Sequence, residues 1–124
     1  MQKAELKEFL QIYSKVATAV EGDKEYIYVR YYDRMRKVEI TEWSKQLPQF
    51  IQEIMEYEEN PLFNQIIRES VVLGKSDKKL LAELPISESS YYRYKRKFEE
   101  KLYELFIAAG YVSREEILKN KITE

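Results

Sequence analysis

The chain has 124 residues, with 21 Lys and Arg against 22 Asp and Glu, no Cys, no His, and only three Gly and three Pro. That length suits one domain, and a content of 44% hydrophobic and 14% aromatic residues supports a core rather than disorder. The missing residue types exclude disulfides, thiolate nucleophiles, zinc-thiolate sites and imidazole bases, so the sequence reads as a non-enzyme that calls for no cofactor and no metal.

Met1 is followed by Lys3, Glu5, Lys7 and Glu8, which is not the pattern of a signal peptide, and no apolar run approaches the ~20 residues of a membrane span. A cytoplasmic protein without a membrane partner is expected. From Gln2 to Val20, Leu6, Phe9, Leu10, Tyr13, Val16, Ala17 and Val20 recur at spacings of three and four, which predicts one amphipathic helix. The near-heptad Leu6, Tyr13, Val20 suits packing within the domain or against a second copy. Gly22 is expected to supply the left-handed residue that ends this helix.

Residues 24–43 fit two structures. Tyr26, Ile27, Tyr28, Val29, Tyr31 and Tyr32 and then Val38, Ile40, Thr41 and Trp43 are strand formers separated by Asp33-Arg34-Met35-Arg36, while Ile27 or Tyr28, Tyr31 or Tyr32, Met35 and Val38 also fit one helical face. No Asn-Gly or Asp-Gly turn separates the readings. Helical signals return at Pro48, with Phe50, Ile51, Ile54 and Met55 on one face. Asn60-Pro61 starts another helix, buried through Leu62, Phe63, Ile66, Ile67, Val71 and Leu73, and Gly74 closes it.

Ser76 or Asp77 can cap a short helix carrying Leu80, Leu81 and Leu84, which Pro85 stops. Ile86 then serves as an apolar plug and Ser87 as the cap of a longer helix. The result is a helix-turn-helix. On the second helix, Tyr91, Tyr94, Phe98, Leu102 and Leu105 should face the core, leaving Ser89, Tyr92, Arg93 and Arg96 on an outer face. Such side chains can read base edges in a major groove, with Lys95 and Lys97 and the preceding Lys75, Ser76, Lys78 and Lys79 placed for phosphate. The bland alternative is a solvated face paired internally at i,i+4. Position favours the first reading, because the basic run follows a turn with a fitting apolar plug and caps; residues 75–101 also hold eight basic and five acidic residues in a chain whose net charge is -1. A final helix begins near Ser113, which with Glu116 forms a capping box, and its polar end runs from Lys119 to Glu124.

The run from Leu84 to Leu102, LPISESSYYRYKRKFEEKL, resembles the C-terminal helix-turn-helix of the ArpU family of phage and prophage transcriptional regulators, with RinA-type activators as relatives, and is similar to sigma factor region four. The resemblance covers about residues 61–108 and does not extend to residues 1–58. It implies a mainly α fold with a C-terminal helix-turn-helix, a recognition helix over about 88–106, and a sequence-specific, double-stranded-DNA-binding transcription regulator in a bacterial host cell. Ser87 would cap that helix; Ser89, Tyr92, Arg93 and Arg96 would face DNA; Tyr91, Tyr94 and Phe98 would seat it.

Two parts of one unit are expected, with residues 1–58 serving oligomerisation or contact with RNA polymerase and residues 59–124 serving DNA. The acidic balance of the first part disfavours a second DNA contact, and a homodimer reading two half-sites is anticipated. The competing readings are a protein-interaction module and a phage DNA-packaging small subunit using the same helix-turn-helix. Adjacent acidic pairs such as Glu58-Glu59 and Glu115-Glu116 diverge by about 100° on a helix, which disfavours a shared metal.

Overall fold

The computed structural model describes the backbone of residues 1–123 and the side chains of residues 1–120. The expected polar end thus falls partly outside the described residues, since Glu124 is not among them. The chain is mainly helical with one antiparallel hairpin. In order it forms α1 (Lys3–Gln11), α2 (Tyr13–Glu21), β1 (Tyr26–Tyr31), β2 (Arg34–Glu39), a 3₁₀ turn (Ser44–Gln46), α3 (Leu47–Tyr57), α4 (Pro61–Ile67), a π turn (Arg68–Val72), α5 (Asp77–Glu83), α6 (Glu88–Ala108) and α7 (Arg114–Thr123).

The single helix expected over residues 2–20 is two helices that meet at Ile12, whose φ of -115° and ψ of 23° break the ladder. Neither Gly nor Pro causes the break. Its physical basis is that the halves have different partners: α1 packs on α6, and α2 packs on β1, the 3₁₀ turn and the π turn. The bend changes the buried stripe, which runs Leu6, Phe9, Tyr13, Val16 and Ala19. Leu6 and Tyr13 of the near-heptad are therefore spent inside the chain.

Gly22 has an ordinary φ of -83°, and the left-handed residue is Asp23 at φ 52°. Asp is one of the few non-glycine residues that tolerates this region. At residues 24–43 the hairpin prevails over the helix, and its turn is Tyr32-Asp33, earlier than the Asp33–Arg36 segment expected. Arg34, Met35 and Arg36 belong to β2, paired with Tyr31, Arg30 and Val29. Ile40 and Trp43 lie beyond the strand and enter the core, where Trp43 meets Phe9 at 4.6 Å and Phe106 at 5.7 Å between ring centroids.

Pro48 occupies the first turn of α3, where its missing N–H is harmless. Asn60 caps α4 by accepting from the amides of Leu62 at 3.0 Å and Phe63 at 3.4 Å. α4 gives way to a π turn after Ile67 instead of continuing as one helix to Leu73, and Gly74 at φ 70° ends the segment as expected. Ser113 accepts from the Glu116 amide at 3.2 Å, but the reciprocal half of the expected capping box is missing. Glu116 instead accepts from the Lys3 amide at 3.2 Å and so ties α7 to the start of α1. One contiguous apolar cluster runs from Leu6 to Val112, including Phe63, Ile66, Tyr91, Phe98 and Phe106, and joins the two parts of the chain.

Candidate functional site

Four residues, Leu84-Pro85-Ile86-Ser87, join α5 to α6, and each helix opens on a serine. Ser76 Oγ accepts from the Lys79 amide and Ser87 Oγ from the Ser90 amide, both at 3.2 Å. Each cap satisfies one of the donors that a helix start leaves open. Leu84 is extended at ψ 144°, as a residue before proline tends to be, so α5 stops there. Ile86 packs against the core from within the turn. Leu80 of α5 and Tyr91, Phe98, Leu102 and Phe106 of α6 are fully buried. The inner stripe of α6 therefore ends on Phe106, with the expected Tyr94 and Leu105 only half-buried at its margins.

A polar clamp fixes the angle between the two helices. Asp77, the first residue of α5, accepts a hydrogen bond from the Tyr91 hydroxyl and another at 3.0 Å from Lys95 Nζ. Burial pushes the Tyr91 hydroxyl pKa far up, and its bond to Asp77 adds to that rise. For Asp77, burial works to raise the carboxyl, but the bonds from Tyr91 and Lys95 outweigh it and hold the group below its ordinary 3.8. A second clamp joins α6 to the end of α3: Glu58 accepts from Lys101 at 3.1 Å, lies 3.8 Å from Lys97, and is held below the usual carboxylate range first by the Lys101 bond. The Asn60 amide group also donates to the Tyr94 hydroxyl at 3.2 Å. Sequence reading alone missed these carboxylates. Asp77 carries the visible signal of an acid in a first helical turn, but Tyr91 and Lys95 become its partners only when the helices dock.

The clamps divide the cations into two groups. Lys75 is paired with Glu69 at 2.7 Å, Lys95 with Asp77, and Lys97 with Glu58, so these three do not stand as free phosphate ligands. Lys97 also lies 5.5 Å from the Phe63 ring centroid. Lys78, Lys79, Arg93 and Arg96 are exposed, and among the described residues no carboxylate pairs with them. Arg93 lies over the Tyr94 ring at 5.5 Å. Ser76 and Ser87 use their hydroxyls as caps, Ser89 is exposed, and Tyr92 is 38% exposed with its ring edge-on to Tyr91 at 5.2 Å. Beside this face, a groove of about 570 Å³ separates α6 from α1, lined by Lys7, Ser70, Lys75, Tyr92, Lys95 and Arg96 among others.

The chain matches no protein-family model, no curated protein and no solved structure. Among the described residues no group of acidic side chains is placed to hold a metal ion.

The clamp has a consequence for acid stability. Because the folded pKa of Asp77 lies below its unfolded value, its stabilising contribution is present above about pH 4 and is lost as pH falls through the folded pKa. Urea denaturation between about pH 5 and about pH 3 should show Asp77→Asn losing less stability than the parent chain over that interval. Equal acid sensitivity in both would contradict an ionic clamp.

Proposed function

We propose that this chain is a sequence-specific DNA-binding transcription regulator of the phage or prophage ArpU-like kind, with the N-terminal half of α6 in the major groove. It has no catalysis of its own in this reading. The observation that carries it is the outer face of α6, where Arg93 and Arg96 are exposed and, among the described residues, in no ion pair, beside Ser89 and Tyr92, on a helix capped by Ser87 and seated by Tyr91 and Phe98. Unpaired guanidinium groups can approach guanine in two-point fashion without first breaking an internal ion pair. Lys78 and Lys79, exposed on the preceding helix, suit phosphate and would set the register on the duplex. A homodimer would read two half-sites and gain affinity and specificity from both. No helix among the described residues is long and apolar enough to cross a membrane, and in this reading the protein acts in the cytoplasm of a bacterial host.

The test is selection of bound sequences from a random duplex pool by the full chain, followed by titration of the selected duplex over a range of salt. Log affinity should fall linearly with log salt, because cations on the protein displace counterions from phosphate. Lys78→Ala with Lys79→Ala should weaken selected and unselected duplexes alike and lower the salt slope by about 2. No enrichment of any duplex and no binding at low salt would remove the proposal and leave an acidic protein partner as the better reading of α6.

A further inference from the structure

The hairpin has two unlike sides. Its register pairs Ile27 with Val38 and Val29 with Arg36, and this side faces the body, where Val29 is buried and Ile27 and Val38 pack on the core. The other side carries Tyr26, Tyr28, Arg30, Met35, Lys37 and Glu39, since Tyr28 pairs with Lys37, Arg30 with Met35 and Tyr26 with Glu39. It is open to solvent: Tyr26 is 44%, Tyr28 55% and Met35 62% exposed, and at the turn Tyr32 is 99% exposed. The rings of Tyr26 and Tyr28 meet edge to face at 5.5 Å, and Lys37 Nζ sits 4.4 Å from the centroid of Tyr26.

No packing requirement within the chain explains three large side chains on an open sheet face, because the core is built from the opposite side. Charge narrows what could cover them. The hairpin, residues 26–39, holds Arg30, Arg34, Arg36 and Lys37 against Asp33 and Glu39, an excess of cations inside an acidic N-terminal part, and its open side carries Arg30 and Lys37 against Glu39. A second copy docked by the same face would bring two further cations, Arg30 and Lys37, against a face whose one carboxylate is Glu39. A ligand that is both anionic and planar suits the face better: tyrosine rings on a strand can stack on bases, which present a flat surface whatever their sequence, while flanking cations follow the phosphates.

We propose that the open hairpin face, through Tyr26, Tyr28, Arg30 and Lys37, binds a nucleic-acid strand with unpaired bases. This is a different surface from the α6 face and does not depend on it. α1 lies between them: Glu5 and Glu8 border the groove shared with Tyr31 and Arg36, and Lys7 and Leu10 border the groove shared with Tyr92 and Arg96. A helix is about 10 Å across, so the surfaces can be altered one at a time.

The experiment is fluorescence anisotropy of a labelled oligothymidylate of about 15 nucleotides titrated with the full chain at low salt. The parent should bind, and Tyr26→Ala and Tyr28→Ala should each weaken binding about fivefold or more. Tyr28→Phe should keep most of the affinity. Tyr28→Thr, which retains a strand former while removing the ring, should lose it with an unchanged far-ultraviolet circular dichroism spectrum. Arg30→Ala with Lys37→Ala should weaken binding and flatten its salt dependence. Arg93→Ala with Arg96→Ala should leave oligothymidylate binding intact, whatever it does to duplex binding. Absence of binding, indifference to removal of the Tyr28 ring, loss through Arg93 and Arg96 alone, or binding to anionic lipid vesicles in place of the oligonucleotide would each overturn the proposal.

Discussion

Phe98→Ala is expected to lower the stability of the chain by about 3–5 kcal/mol, a large part of the 5–15 kcal/mol typical of a domain. Phe98 is fully buried near the middle of α6 and belongs to the same apolar cluster as Phe63, Tyr91 and Phe106. Truncating the ring removes its transfer free energy and leaves a cavity lined by elements from both halves of the chain, which cannot all relax inward together. Thermal denaturation followed by circular dichroism should show a midpoint lower by more than about 10 °C. Phe98→Leu keeps most of the volume and should cost only about 1–2 kcal/mol. Should Phe98→Ala melt within a degree or two of the parent, α6 would not be seated as described. Any loss of DNA binding in Phe98→Ala is a consequence of unfolding, since the side chain has no access to solvent.

What could be read from the sequence was local chemistry. Asn60, Ser76 and Ser87 cap the helices that follow them because a short polar side chain before an apolar repeat has one favourable use, and Pro48, Gly74 and Pro85 act within one or two residues of themselves. The outward placement of Ser89, Tyr92, Arg93 and Arg96 follows from the 3.6-residue period once Tyr91 and Phe98 are taken as inside. Tertiary choices were not legible. Ile12 resembles any other residue of an amphipathic helix, and the bend there exists because α1 and α2 have different neighbours. Residues 26–38 satisfy periods of two and of 3.6 within a short window, so only docking against α2 decides for the hairpin.

Charge was the quantity most distorted by averaging. Counted over residues 75–101, all eight cations look available to a polyanion, yet Lys75, Lys95, Lys97 and Lys101 are drawn into pairs with Glu69, Asp77 and Glu58. The acidic balance of residues 1–58 likewise conceals the cations gathered on the hairpin. The sum over a segment speaks to long-range attraction, whereas a contact depends on which charges remain unpaired after folding.

That distinction yields a sharp expectation for α6. Arg93→Ala combined with Arg96→Ala should reduce affinity for the selected duplex by about a hundredfold or more, since each two-point contact to a base contributes about 1–3 kcal/mol of discrimination. Specificity should fall with it, because unselected duplexes are held by phosphate contacts that remain. Folding should be nearly unaffected: the double change removes no ion pair among the described residues and only the Arg93–Tyr94 ring contact, worth about 0.5–1 kcal/mol at an exposed site. Lys95→Ala is the informative contrast. It strips a partner from Asp77 and loosens α5 against α6, so its effect on binding should be accompanied by a lower melting temperature. Equal affinity of parent and arginine double variant, with both fully folded, would show that DNA reading, if present, lies on another face. Loss of affinity in the arginine double variant at an unchanged melting temperature, against a coupled loss in Lys95→Ala, would separate the side chains that touch DNA from those that hold the helix in place.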